Sequence, residues 1–258
     1  MLHNFTIDHQ LNHRTIRKFK DQPLTEEQLT TLFEVARQTS SSEFLQQMTI
    51  IRVTDPQKRA AIRAVSTQPY VGAEGELLMF ITDLHRNELI RHHQGNLDDR
   101  RIEKTEMFLQ AYEDTVLAVQ NVLNAAESMG LGGVILGSIQ NEPAKIIKTL
   151  HLPKHTFPTL GLQLGVPDQK PQLKPRLPLD KIVFENEYQD IDPASLKDYD
   201  QIVNTYYDLR DANRRIDTFT DQVNGPKLNG TGPKLNGTPQ VRDQIAQVLH
   251  DQKLCLDL

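Results

Sequence analysis

Leu29, Leu32, Phe33 and Ala36 recur three or four positions apart, the spacing of one face of a helix. Thr25 stands three positions before Gln28, a capping-box arrangement in which the two side chains satisfy free backbone N–H groups at a helix start. An amphipathic helix is therefore expected over 26–38. "MTIIRV" (48–53) is apolar and β-branched and is closed by Asp55-Pro56, the pattern of a buried strand and a turn. A short helix from Pro56 to Ala64 and a second buried strand, "LLMFIT" (77–82), follow. The longest helical run, Thr105 to Met129, carries Phe108, Tyr112, Val116, Val119, Leu123 and Ala126 on one stripe. Gly130 sits where a left-handed cap belongs. "GVILG" (133–137) and "TLGLQLGV" (159–166) are two more expected strands, with a helix starting at Pro143 between them.

About four strands and a long central helix predict a compact α+β or three-layer α/β fold. No Gly-x-Gly-x-x-Gly or Walker loop opens a helix after a strand, which argues against a doubly wound nucleotide-binding sheet. Past Gly165 the texture changes. Residues 166–180, "VPDQKPQLKPRLPLD", are rich in proline and basic residues, and an extended, exposed arm is expected over 166–192. A helix from Pro193 to Leu209 and a last helix after Pro239 follow. Residues 225–238 are "GPKLNGT" twice over, too polar and glycine-rich to bury anything, and are expected to form a surface loop. The expected division is a main domain over 1–221 and a C-terminal loop and helix over 222–258.

Thirty-four acidic and 29 basic residues leave a formal charge of −5, which disfavours a surface built for nucleic acid but allows a local basic site. The single cysteine, Cys255, excludes an internal disulfide and a cysteine-ligated metal centre. No apolar run approaches the roughly 18–20 residues that span a bilayer. "MLHNFTIDHQ" has no hydrophobic signal segment, so a soluble cytoplasmic protein is expected.

Against that acidic balance, "HRTIRKF" (13–19) concentrates His13, Arg14, Arg17 and Lys18 around the hydroxyl of Thr15. A solvated charge run is one reading. An anion site is the other, because guanidinium forks and a hydroxyl suit phosphate oxygens. "LKPRLP" (173–178) offers Lys174 and Arg176 in the same role. "TSSSEFLQ" (39–46) puts four hydroxyls ahead of Gln46, either as an ordinary helix-ending loop or as contacts for a polar heterocycle. The glycines of "GLGGVILGS" (130–138) permit either close strand packing or the approach of a flat ring to the backbone. His85, His92 and His93 are expected to be solvated rather than metal ligands. No nucleophile or acid–base pair stands out, which points to reactivity borrowed from a cofactor.

Taken in order, "HRTIRKF…P", "ARQTSSSEFLQ", "AAESMGLGGVILGS" and "LKPRLP…I…EN.Y" resemble the flavin-dependent nitroreductase family, in its NADPH-preferring branch, from about residue 10 to about 215. The resemblance implies an α+β homodimer of three-layer fold, with a central, mostly antiparallel sheet flanked by helices and an FMN at each interface site. It assigns His13, Arg14 and Thr15 to the FMN phosphate and ribityl end and Arg17 to the polar edge of the ring. Lys174 and Arg176 match a second phosphate clamp. Ser41, Ser42, Gln46 and Gln68 match polar contacts, and the backbone at Gly137 and Ser138 matches the segment facing flavin N5. Arg210 and Arg214 match the site for the 2′-phosphate of NADPH. The implied chemistry is ping-pong reduction of nitroaromatic, quinone or related acceptors, with no catalytic side chain and no metal. A reductase supplying free reduced FMN, or a flavin-binding sensor, is the alternative. Ser138 stands where relatives usually have glycine and Glu43 where they have a small hydroxyl. After Asp221 no further correspondence is expected.

Overall fold

A computed structural model describes residues 1–210, 217–225, 228 and 241–257. The chain divides into two compact units, Met1–Lys170 with Val241–Leu258, and Pro171–Gln240.

The first unit is built on a four-stranded sheet in the order β1-β2-β4-β3, antiparallel throughout. The strands are β1 (Met48–Arg52), β2 (Glu76–Asp83), β3 (Gly132–Leu136) and β4 (Thr156–Gly165). Side chains alternate across the sheet with period two. On one face, Leu78 and Phe80 of β2 pack with Leu162 and Leu164 of β4. They meet Leu29 and Leu32 of α2 (Glu26–Arg37) and Val119, Val122 and Leu123 of α5 (Thr105–Ser128). On the other face, Leu77, Met79 and Ile81 meet Ile62 and Val65 of α3 (Pro56–Ser66) and Ile146 and Leu150 of α6 (Pro143–Leu150). The result is the expected three-layer arrangement.

Local signals behave as their chemistry requires. Thr25 and Gln28 form both bonds of the capping box, and Gly130 has φ +78° just past the end of α5. Two helices carry no clean apolar stripe and were not expected: α1 (Phe5–Leu11) and α4 (His85–His93). The strand expected to be buried at 48–53 is half-exposed, because β1 lies at the edge of the sheet. One end of the unit is closed by Phe108, Phe157, Leu84, Leu254 and Cys255. Burial pushes the Cys255 thiol up, so it is not a reactive thiolate.

In the second unit the expected arm has no regular structure apart from a short turn at Leu179–Lys181. A 3-10 turn, Pro193–Leu196, then leads into α7 (Lys197–Arg210), and α8 spans Phe219–Val223. Asp200 of α7 accepts from the Thr220 amide and hydroxyl, which fixes α8 against it. The tandem heptapeptide lies outside the described residues except for Gly225 and Leu228. The chain re-enters the first unit as α9 (Ile245–Asp251). Among the described residues, no helix is long and apolar enough to cross a membrane.

Candidate functional site

The hydroxyl loop 39–46 is organised by one buried carboxylate. Asp114, on the inner face of α5, accepts from Ser41 Oγ (2.7 Å), the Ser42 amide (2.8 Å) and the Gln47 amide (3.4 Å). Ser41 Oγ in turn accepts from the Gln46 amide at 2.7 Å. Arg86 of α4 donates to the carbonyls of Gln46 and Met48, and Asn87 donates to that of Leu45. Held from both sides, the loop places Glu43, Phe44 and Gln46 in the left-handed region, at φ 50°, 61° and 52°. Such conformations are costly for residues other than glycine and persist where the surroundings over-determine them.

This loop walls a cleft of about 660 Å³, also lined by α2, β1 and the Arg86–Asn87–Ile90 face of α4. Ser41 and Gln46 line it, whereas Ser42 faces Asp114 and Gln110 of α5. Gln47, which the sequence reading passed over, is fully buried, and although its backbone amide is bonded to Asp114, neither polar atom of its side-chain amide has a partner. A buried amide left unsatisfied on a cleft wall marks a place for a polar ligand.

The basic segment lies elsewhere. The Ile16 amide donates to the Gly133 carbonyl (2.9 Å), and Thr15 bridges Gly133, so the segment runs along β3. That is the opposite edge of the sheet from β1, three strand spacings or roughly 14 Å away. His13 Nδ1 meets Glu127 Oε1 at 2.6 Å, and the other oxygen of this nearly buried carboxylate has no partner. Arg14 donates to the Asn12 carbonyl, and Arg17 is exposed with no side-chain partner among the described residues. Lys18 pairs with Asp168. Asp114 and Glu127 are thirteen positions apart on α5, roughly 20 Å along its axis.

The glycine readings separate residue by residue. A Cβ at Gly132 would stand 2.5 Å from Ile16 Cγ1, and one at Gly133 would stand 2.7 Å from Leu123 Cδ1. Those two glycines serve close packing. A Cβ at Gly137 would meet nothing within 4 Å, so the end of β3 is open to a ligand. Arg242, after the heptapeptides, donates to the Gly137 carbonyl and to Asn141 Oδ1, both at 3.0 Å, and fixes the turn carrying Ser138.

Gln68 is exposed in the loop after α3, where its amide donates to Ser66 Oγ. In the second unit, Arg176 donates to the carbonyls of Lys174 and Pro175. Lys174 lines a small hollow there with Ile202, Thr205 and Tyr206. Arg210 ends α7, but its side chain and all of Arg214 lie outside the described residues. Asp114 and Glu127 were the residues missed. Their signal was a carboxylate within the apolar stripe of α5, one helical turn from Ala118 and Leu123 respectively.

Residues 11–166 match the family described as "Nitroreductase family", and residues 174–257 match "Nitroreductase family, C-terminal domain". The second match corrects the expectation that correspondence stops near Asp221. The chain is 40% identical over 228 residues to the NADPH-flavin oxidoreductase of Vibrio harveyi, covering 88% of this chain and 92% of that protein. It is 41% identical over 219 residues to the oxygen-insensitive NADPH nitroreductase of Salmonella typhimurium, covering 84% and 89%. Its fold matches the solved structure of the Vibrio harveyi NADPH:FMN oxidoreductase complexed with NAD+, with a TM-score of 0.85 and 36% identity over 98% of this chain and 100% of that one.

Proposed function

The chain belongs to the nitroreductase family, and on that premise we propose that it is an FMN-dependent oxidoreductase that takes electrons from NADPH and reduces nitroaromatic, quinone or related acceptors. The observation that carries the flavin reading is the end of β3. A segment bearing His13, Arg14, Thr15 and Arg17 runs beside Gly133 at the start of that strand, and open space stands over Gly137 just past its last residue. The donors suit a phosphate monoester, the open backbone suits a flat ring, and the unsatisfied Gln47 amide suits a polar heterocycle. The residues present therefore fit FMN.

When bound, FMN supplies the redox chemistry, accepting two electrons from NADPH and yielding them to the acceptor in a separate half-reaction. The chain binds and orients. Glu127 fixes His13 through Nδ1 and leaves Nε2 for the ligand. Arg14 and Thr15 serve the phosphate and ribityl end, and Arg17 brings a fixed positive charge to the ring's polar edge, where negative charge grows on reduction. Lys174 and Arg176 form the second phosphate clamp, Gln68 is a further polar contact, and the Gly137–Ser138 backbone faces the ring. No side chain acts as acid or base.

The two groups of site residues sit at opposite edges of one sheet, which supports a homodimer. In it, one chain's hydroxyl loop closes over the basic segment of a second copy. Phe44 in that loop and Leu109 and Leu117 on α5 are at least half-exposed, an apolar surface that a second copy would cover. A cytoplasmic setting belongs to the same reading.

Arg210 and Arg214 are assigned to the 2′-phosphate of NADPH. Replacing each with alanine should raise KM for NADPH about ten- to hundredfold, the worth of one charge-assisted contact, while leaving KM for NADH nearly unchanged. Equal changes for both nucleotides would remove the assignment.

The purified protein should be yellow, should release FMN on denaturation, and should oxidise NADPH when a nitroaromatic or quinone is added. A colourless protein that gains neither absorbance nor thermal stability with FMN would overturn the proposal. The name of the Vibrio harveyi relative favours a second reading, in which free FMN is itself the acceptor. Faster turnover with added FMN than with any nitro compound or quinone would decide for it, and a flavin-loaded protein without turnover would point to a sensor.

A further inference from the structure

His155, immediately before β4, is fully buried, and neither ring nitrogen has a hydrogen-bond partner. Its backbone is left-handed, at φ 60°, and is pinned by bonds from its amide to the Gln252 carbonyl (2.8 Å) and to its carbonyl from the Leu84 amide (3.0 Å). That strained, over-determined position aims the ring at two carboxylates. Nδ1 lies 3.1 Å from Glu88 Oε2, an ion-pair contact that, against the effect of burial, helps to hold the Glu88 carboxyl below its usual range but does not complete a hydrogen bond. Nε2 lies 3.6 Å from Glu103 Oε1. His85 Nδ1 approaches the same Glu88 oxygen at 2.7 Å. Burying an imidazole unsatisfied at both nitrogens is expensive, so the arrangement calls for a further group.

We propose that His85, Glu88 and His155 form a binding site for a divalent transition metal of the Zn2+ class. One ligand atom from each lies within 4.8 Å of the others. Ligands on a tetrahedral zinc with bonds of about 2.0–2.2 Å stand ~3.4 Å apart, so only small shifts close the trio around an ion. Two imidazoles and one carboxylate leave a fourth position for water. Glu103 stands behind His155 as the carboxylate that orients a metal-bound imidazole through its second nitrogen. Glu88 pairs only with His85 and His155 among the described residues, so no lysine or arginine supplies the missing positive charge. The neighbouring trio of Glu88, His92 and Asp99 differs in this respect. There His92 Nε2 bonds Asp99 and Arg91 pairs with the same carboxylate, which completes the group without a metal. His85 is half-buried and bonded to Glu88 rather than merely solvated, and its further neighbours Glu103 and His155 come from later in the chain. The metal would tie α4 to the start of β4, on the helix face away from Arg86 and Asn87, which hold the hydroxyl loop.

The test is equilibrium dialysis of the chelator-treated, FMN-loaded protein against ZnCl2, with metal analysis, flavin content and thermal denaturation. One Zn2+ per chain and a raised Tm are expected. His85→Ala and Glu88→Gln should each weaken binding at least tenfold, and Glu103→Gln about ten- to hundredfold. His93→Ala, exposed on the same helix, should bind like the parent. His85 is partly exposed, so its variant carries the test if Glu88→Gln does not fold. Failure of the parent to bind zinc stoichiometrically, or undiminished binding by His85→Ala, overturns the site and leaves His155 as a buried ring between two carboxylates without a metal. The flavin content, read separately, keeps this result independent of the proposed activity.

Discussion

Asp114→Ala should lower the melting temperature by about 6–12 °C and strip the protein of most of its flavin. Two short bonds to this carboxylate, from Ser41 Oγ and the Ser42 amide, and a longer one from the Gln47 amide are lost together. Hydrogen bonds to a charged group are worth about 1.5–3 kcal/mol each, and leaving buried donors unpaired is the costly side of the exchange. A net loss of about 3 kcal/mol is expected, and each kcal/mol moves Tm by about 2–4 °C in a chain of this size. The loop also carries three left-handed residues, each costing about 1–2 kcal/mol. With Asp114 gone, little on the α5 side opposes their relaxation, and the cleft wall loses its shape. Asp114→Asn keeps two acceptor lone pairs and the volume, so it should fall between the parent and the alanine variant. Differential scanning calorimetry and the ratio of flavin to protein absorbance measure both effects. An alanine variant with the parent's Tm would mean that the loop is held by Arg86 and Asn87 alone.

What was legible in the sequence depended on how far apart the partners stand. The Thr25–Gln28 box, the stripe of α5, the left-handed Gly130 and the continuous apolar run of β2 are written within a few residues, and each forms as expected. Edge position is not local. β1 has a core strand's composition, yet one of its sides has no neighbouring strand among the described residues. The site is less local still. Ser42 meets Asp114 across 72 positions and His13 meets Glu127 across 114. A carboxylate in an apolar stripe was visible as an anomaly, but nothing nearby named its partner. Gln46 and Gln47 show the same limit. Both are polar and adjacent, and only packing reveals that Gln47 is the buried one. The histidines of α4 lie in a polar segment with no carboxylate spacing that suggests a metal triad, and His155, which packs beside His85 and Glu88, lies 70 positions from His85.

The glycines of 130–138 offered two readings, and one pair of substitutions separates them. Gly132→Ala puts a methyl group 2.5 Å from Ile16 Cγ1, 2.9 Å from Ile16 Cβ and 3.1 Å from Pro167 Cγ. Ile16 is buried and its amide is bonded to Gly133, so it cannot yield without moving Thr15 and the basic segment with it. Overpacking of this kind costs about 1–3 kcal/mol, and a lower Tm with weakened flavin binding is expected. Gly137→Ala meets nothing within 4 Å, and the backbone there is outside the left-handed region. Its stability should stay within about 0.5 kcal/mol of the parent's, as for an unhindered exposed site. The same methyl group enters the space assigned to the ring, so FMN affinity should fall at least tenfold in a protein that is otherwise intact. Loss of flavin without loss of stability is the signature of a ligand seat, whereas a packing defect moves both. If Gly137→Ala retains its FMN with the parent's affinity, the ring does not rest on the end of β3, and its seat must be sought along the cleft beneath Gln47 instead.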